Sequence, residues 1–140
     1  MSELFAAVRA GDKDAVTDVL ERRPELAAER NAEGLSPVLG ALYAGRDELV
    51  DAILDVNPAL DVFDTAAVGR TRGLEELLEA DPTLVRARTR DGSTPLHLAA
   101  RFDQRAAVEL LLEWGADTAT TDADGRTPAD VAGDDTRELF

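Results

Sequence analysis

One histidine, 29 acidic side chains and no cysteine are the raw material for chemistry in this 140-residue chain. A lone imidazole, His97, acts as a base or metal ligand only with partners, and the sequence offers neither a second histidine nor a thiolate. Ser/His/Asp catalysis fails on the same ground. Without cysteine there are no disulfides and no thiolate nucleophiles. Paired carboxylates remain: Asp122 with Asp124, and Asp134 with Asp135, the arrangement that acid–base hydrolysis requires. Asp122-Ala123-Asp124-Gly125-Arg126 also starts like a calcium loop, but the closing glutamate is missing. Arg86, Arg88 and Arg90 alternate, so an extended arm would project all three to one side. They would there hold a partner's carboxylates or the chain's own surplus acids. The expectation is no enzymatic activity, no metal and no cofactor.

Composition narrows the class of partner. The net charge of −14 repels phosphate backbones and anionic lipid, so nucleic acid and membrane surfaces are not expected as partners. It would steer a basic protein toward the chain. One lysine, Lys13, stands beside fourteen arginines, a bias shared by salt-adapted proteins and by products of GC-rich genomes. No apolar run is long enough for a signal peptide or a bilayer span, and a cytoplasmic protein is expected. Length points to a single domain over residues 1–140. With 44% hydrophobic but only 4% aromatic residues, its core must be aliphatic, which suits small, closely packed helices.

The elements that would position any site repeat. Asp91-Gly92-Ser93-Thr94-Pro95 recurs as Asp124-Gly125-Arg126-Thr127-Pro128, a step of 33 residues. A longer step of 58 takes Phe5 to Phe63, Gly11 to Gly69, Leu20 to Leu78 and Pro24 to Pro82. The same step takes Gly34 to Gly92, Pro37 to Pro95 and Leu54 to Leu112 without a gap. Five units follow, roughly 2–30, 31–57, 58–88, 89–121 and an incomplete 122–140, each full unit a helix, tight turn and helix. Glycines 11, 45 and 69 fall between the paired helices, where φ > 0 is useful, and Asp103 takes that place in the fourth unit. Apolar residues of the second helices, such as Leu74, Leu77 and Leu78, form a stripe that only stacked neighbours can bury. Ser36-Pro37, Thr94-Pro95 and Thr127-Pro128 place a hydroxyl cap before a first-turn proline. The third unit lacks this signal, so its connecting finger should be missing or very short.

Thr94-Pro95-Leu96-His97 with Ala99-Ala100, the Leu110-Leu111-Leu112 triplet and Gly115-Ala116-Asp117 resembles an ankyrin repeat. The resemblance extends over nearly the whole chain, and the 58-residue pair looks like a bacterial or archaeal subtype with about four repeats plus a partial C-terminal one. It implies an all-α solenoid of stacked helix-turn-helix pairs with short hairpin loops. It implies that His97 bonds loop backbone, and that partners bind a concave face of loop tips and first helices. Carried onto this sequence, that face comprises Glu33, Leu35, Tyr43, Ala44, Arg90, Asp91, Ser93, Arg101, Phe102, Asp124, Arg126, Asp134 and Asp135. The second unit departs from the motif, having Leu39 where the fourth has His97.

The expected function is therefore a non-enzymatic protein–protein interaction module. The alternative is an acidic immunity- or chaperone-like protein that neutralises a basic enzyme or toxin. A monomer is expected. Weak self-association through the C-terminal cap is the other option, since a second helix near Thr136–Phe140 would be too short to cover the array and would leave Leu139 and Phe140 at the surface.

Overall fold

In the computed structural model, which describes residues 3–32 and 34–140, regular structure is entirely helical. Chain contacts divide into two compact units, Met1–Leu60 and Asp61–Phe140.

The N-terminal unit holds two helix pairs: α1 (Glu3–Ala10) with α2 (Lys13–Arg22), and α3 (Pro37–Tyr43) with α4 (Asp47–Leu54). The first helices pack on each other, as do the second helices. Leu4, Val16, Leu49 and Ile53 are fully buried and form the aliphatic core that the composition requires. Burial of each such side chain is worth about 1.5–3 kcal/mol. Asp12 caps α2 by accepting the amide of Ala15 at 3.1 Å, and Ser36 caps α3 by accepting that of Leu39 at 3.1 Å.

The C-terminal unit repeats the plan with α5 (Val62–Val68) and α6 (Thr71–Ala80), α7 (Pro95–Arg101) and α8 (Arg105–Glu113), and the single turns α9 (Pro128–Val131) and α10 (Asp134–Arg137). Here α7 sits between α5 and α9, and α8 between α6 and α10. Its core runs through Leu74, Leu78, Leu96, Val108 and Leu111. Phe63 and Trp114 pack partly buried against it. Three reciprocal capping boxes start the first helices, Asp61/Asp64, Thr94/His97 and Thr127/Asp130. All-α stacked helix pairs are thus what the sequence builds.

Glycines 11, 45 and 69 adopt φ of +70°, +70° and +77°, and Asp103 adopts +59°. At Gly69 the absent Cβ serves a second purpose. Gln104 lies where it would be and donates from Nε2 to the Ala67 carbonyl at 3.0 Å.

Several local features differ from the sequence expectation. The prolines after α2 and α6 open 3₁₀ turns, Pro24–Ala28 and Pro82–Arg86, an element beyond the helix, tight turn and helix expected of each unit. Arg86 closes the second of these turns, and the Arg88 guanidinium donates to the Thr121 carbonyl at 3.2 Å. Arg86, Arg88 and Arg90 are all exposed, with Ala87 and Thr89 half-buried between them. The end of the chain is also better anchored than expected. Asp103 accepts the Thr136 amide at 2.9 Å and the Thr136 hydroxyl at 3.0 Å, and so caps α10 from a distant loop. Arg105 donates to the Asp135 carbonyl at 2.8 Å and pairs with Glu138. Leu139 and Phe140 are half-buried and pack against the core.

Candidate functional site

Three five-residue loops precede α3, α7 and α9, and one hydrogen-bond pattern shapes them all. The amide of the first residue donates to the carbonyl of the fifth at 2.9 Å in Asn31→Leu35, Thr89→Ser93 and Asp122→Arg126. The first side chain then accepts amides from inside its own loop: Asn31 from Leu35, Thr89 from Ser93, and Asp122 from both Asp124 and Arg126. These acceptors stiffen loops that carry no regular structure of their own. The last two loops also touch, Ala123 donating to the Asp91 carbonyl at 2.9 Å. Gly92, at φ +82°, is what permits that approach. A Cβ there would come within 2.9 Å of the Ala123 nitrogen. Gly92→Ala should cost about 1–2 kcal/mol, from the left-handed strain plus the backbone clash, read as a lower urea midpoint. An unchanged midpoint would contradict this loop geometry.

His97 ties the array to its loops. It is 1% exposed. Nδ1 accepts the Thr94 amide at 3.2 Å, and Nε2 donates to the Arg126 carbonyl at 2.8 Å, a group that can only accept. Both ring nitrogens are thereby occupied within the protein, and the imidazole acts as a spacer between consecutive units. Among the described residues no group of three or more His, Asp or Glu side chains is placed to hold a metal ion. No helix among them is long and apolar enough to cross a membrane.

The carboxylates of this region are tuned by hydrogen bonds. The Arg126 amide leads in holding Asp122 below its ordinary value of 3.8, with the Asp124 amide and the Arg126 guanidinium assisting against burial. At Asp91 burial pushes upward, but the Thr89 hydroxyl and the Ser93 amide outweigh it and the net shift is downward. The Thr127 amide lowers Asp130. A carboxylate depressed in the folded state contributes stability that is complete above its unfolded pKa and is lost as pH falls through the folded value. The C-terminal unit should therefore melt at a nearly constant temperature from about pH 7 to 5 and lose stability below about pH 4. Asp122→Asn should lower the plateau and flatten the acid limb. Parallel acid limbs for the two proteins would remove Asp122 from this role.

The expected contact residues fall into separate groups. In the N-terminal unit Leu35, Tyr43 and Ala44 line one groove of about 930 Å³, floored by Phe5 and Val8 of α1 and by Gly40 of α3. Tyr43 is 41% exposed there. Glu33 lies outside the described residues. In the C-terminal unit Asp91, Asp124 and Arg126 sit on the two touching loops, with Arg126 bound to Asp122 at 3.2 Å and Asp124 at 3.0 Å. Arg90 is exposed at the tip of the first of these loops. Arg101 ends α7 and Phe102 caps it, both half-buried. Asp134 and Asp135 are exposed at the start of α10. Ser93, expected at the surface, is 1% exposed because the loop folds back over it, and it is not available for contact.

The sequence reading missed Gly40. The 58-residue step sets it against Leu98, which is 1% exposed in α7. A Cβ at Gly40 would find only Val8 Cγ1 at 3.9 Å. Since Gly40 is also inside a helix, Gly40→Ala should raise stability by about 0.5–1 kcal/mol. A loss of stability in a thermal melt would mean that the groove floor is occupied.

Comparison with known proteins adds an independent line. Residues 77–132 match the family model described as ankyrin repeats in many copies. Rabankyrin-5 of Mus musculus is 56% identical over 43 residues, 31% of this chain and 4% of the relative. Zinc finger CCCH domain-containing protein 50 of Oryza sativa subsp. japonica is 34% identical over 134 residues, 94% of this chain and 19% of the relative. Alpha-latrocrustotoxin-Lt1a of Latrodectus tredecimguttatus is 26% identical over 129 residues, 86% and 9% respectively. The chain thus spans only a small part of the curated relatives it matches.

Proposed function

From the ankyrin-repeat match at residues 77–132 and the recurrent helix pairs of both units, we propose that this chain is a non-enzymatic protein-interaction module of four helix pairs and a shortened fifth. Its partner binds the face made by loop tips and first helices. The observation that carries the reading is the open groove of the N-terminal unit, where an aromatic side chain and apolar groups stand accessible on a stiff helix pair. Tyr43, exposed beside a preformed concavity, has the character of an interface anchor. Arg101 and Phe102 supply corresponding contacts from α7, and the rigid loops limit the entropy lost on binding.

A triple variant, Tyr43→Ala with Arg101→Glu and Phe102→Ala, tests the reading by capture from a lysate of the source. The wild type should retain a defined species that the variant loses while both melt alike. Equal capture by both, or loss only with changes on α2 and α4, would overturn the choice of face.

One feature favours the second reading, an acidic neutraliser of a basic protein. Glu21, Glu48, Asp51 and Asp55 surround a smaller groove of about 280 Å³ on α2 and α4 of the same unit. That reading requires an association rate that drops steeply with added salt. Salt-independent association eliminates it.

A further inference from the structure

We infer that the groove between α2 and α4 docks a basic segment of a partner protein and seats one bulky apolar side chain of that segment over Ala52 and Val56. The inference rests on the acidic-neutraliser reading for the sign of the partner and gives it a specific site. It is independent of the face made by loop tips and first helices.

The space is there because two side chains are small. The 58-residue step sets Ala52 against Leu110 and Val56 against Trp114. In the C-terminal unit both larger residues lie half-buried against the core. In the N-terminal unit the matching positions line an open groove together with Leu20 of α2. At about 280 Å³ it is small for a small-molecule site and large enough for a leucine side chain. An apolar group from outside can thus take the place that Leu110 and Trp114 fill from inside.

Charge selects what flanks that side chain. Glu21, Glu48, Asp51 and Asp55 rim the groove, with Lys13 as the one cation among the described lining residues. All four carboxylates are exposed, and none is in an ion pair among the described residues. For Asp51 the same step explains why. Asp51 stands where Glu109 does, but Glu109 pairs with Arg105 at 3.3 Å, and Asp47 takes the place of that arginine. The residues outside those described add one acidic side chain, Glu33, and no basic one, so the sign of the charge is settled. A lysine or arginine beside the inserted group therefore finds a carboxylate without displacing an existing partner. Burial of the apolar group supplies affinity, and the carboxylates supply encounter rate and orientation.

The probes are three fluorescein-labelled peptides with cores of Lys-Lys-Leu-Lys-Lys, Lys-Lys-Ser-Lys-Lys or Asp-Asp-Leu-Asp-Asp between Gly-Ser flanks, read by polarisation against the full chain. The basic leucine peptide should bind about tenfold or more tighter than the basic serine peptide, as burial of one leucine side chain allows. The acidic peptide should not bind. Ala52→Leu with Val56→Trp, which imports the cover of the other unit, should equalise the two basic peptides with its melting curve retained. Asp51→Asn with Asp55→Asn should weaken both basic peptides about threefold or more at low salt and keep their ratio. Glu75→Gln with Glu79→Gln, at exposed sites on α6, removes the same charge elsewhere and should leave both nearly unchanged. Equal binding of the basic peptides by the wild type, preference for the acidic one, no binding of any, or a leucine preference that survives the filled groove overturns the inference. So does equal weakening by the α6 pair, which would make net charge the cause. Self-association in sedimentation that the filled groove removes would make a second copy the occupant and overturn it as well. Steep salt dependence without a leucine preference leaves the acidic-neutraliser reading standing and overturns this groove. Salt-independent association is the separate failure of that reading.

Discussion

Replacing His97 by alanine is expected to lower the stability of the C-terminal unit by about 3 kcal/mol. The loss has three sources. The Thr94 amide loses its partner and the Arg126 carbonyl loses one of two, keeping the Asp122 amide, and a hydrogen bond between neutral groups is worth about 1 kcal/mol net. The Thr94 amide, left buried without a partner, adds a desolvation penalty of about 1–3 kcal/mol, reduced wherever water can enter. The ring also leaves a cavity beside Leu96 and Leu98, both buried. The array itself supplies the informative control. Asp64 and Asp130 occupy the same capping position and return a bond to the cap residue as His97 does. His97→Asp should therefore restore the capping box, worth about 1 kcal/mol, without the bond to Arg126. It should fall between wild type and alanine, or near alanine if the buried charge dominates. Urea melts decide the matter, and hydrogen exchange at Thr94 and in the 122–126 loop locates the damage. An alanine variant within about 0.5 kcal/mol of wild type, the range of ordinary surface changes, would show that His97 does not join the units.

Adjacent leucines in α6 give the second large effect. Leu78 is fully buried in the core with Leu74, Val108 and Leu111, whereas Leu77 only packs partly buried against it. Leu78→Ala should cost about 3–4 kcal/mol, the transfer free energy of the lost methyl groups plus a cavity that stiff helix pairs cannot close. Leu77→Ala should cost less, about 1–2 kcal/mol, since Leu77 is only half-buried and water can enter the space it leaves. The contrast depends on which face of α6 meets α8, because a rotation by one residue would exchange the two values. Equal costs in thermal and urea melts would mean that this face is wrongly assigned.

Local pattern made much of the scaffold legible. Ser36, Thr94 and Thr127 cap helices because a hydroxyl followed by proline has few other uses at that spacing. Asp103 was identifiable as a left-handed residue from its place in the register alone. What stayed hidden was tertiary. The same Asp103 also caps α10, 31 residues away along the chain at Asp134, and no local signal announces a cap that distant. The arginines at 86, 88 and 90 alternate and all three are exposed, but no local signal shows that Arg88 donates to the Thr121 carbonyl, 33 residues further on. Ser93 looked like a loop-tip residue, and only the fold of the loop shows that it faces inward. The groove was hardest to foresee because its cause is the absence of a side chain. Gly40 reads as a weak helix position until it is aligned with Leu98.

The most direct test is amide chemical-shift mapping of the labelled chain titrated with the partner captured by the wild type. The account predicts that perturbations gather at Val8, Leu35, Gly40 and Tyr43 around the groove, with further changes near Arg101 and Phe102. Perturbations confined to Lys13, Glu21, Glu48 and Asp55 on α2 and α4 would contradict it and place binding on the acidic face.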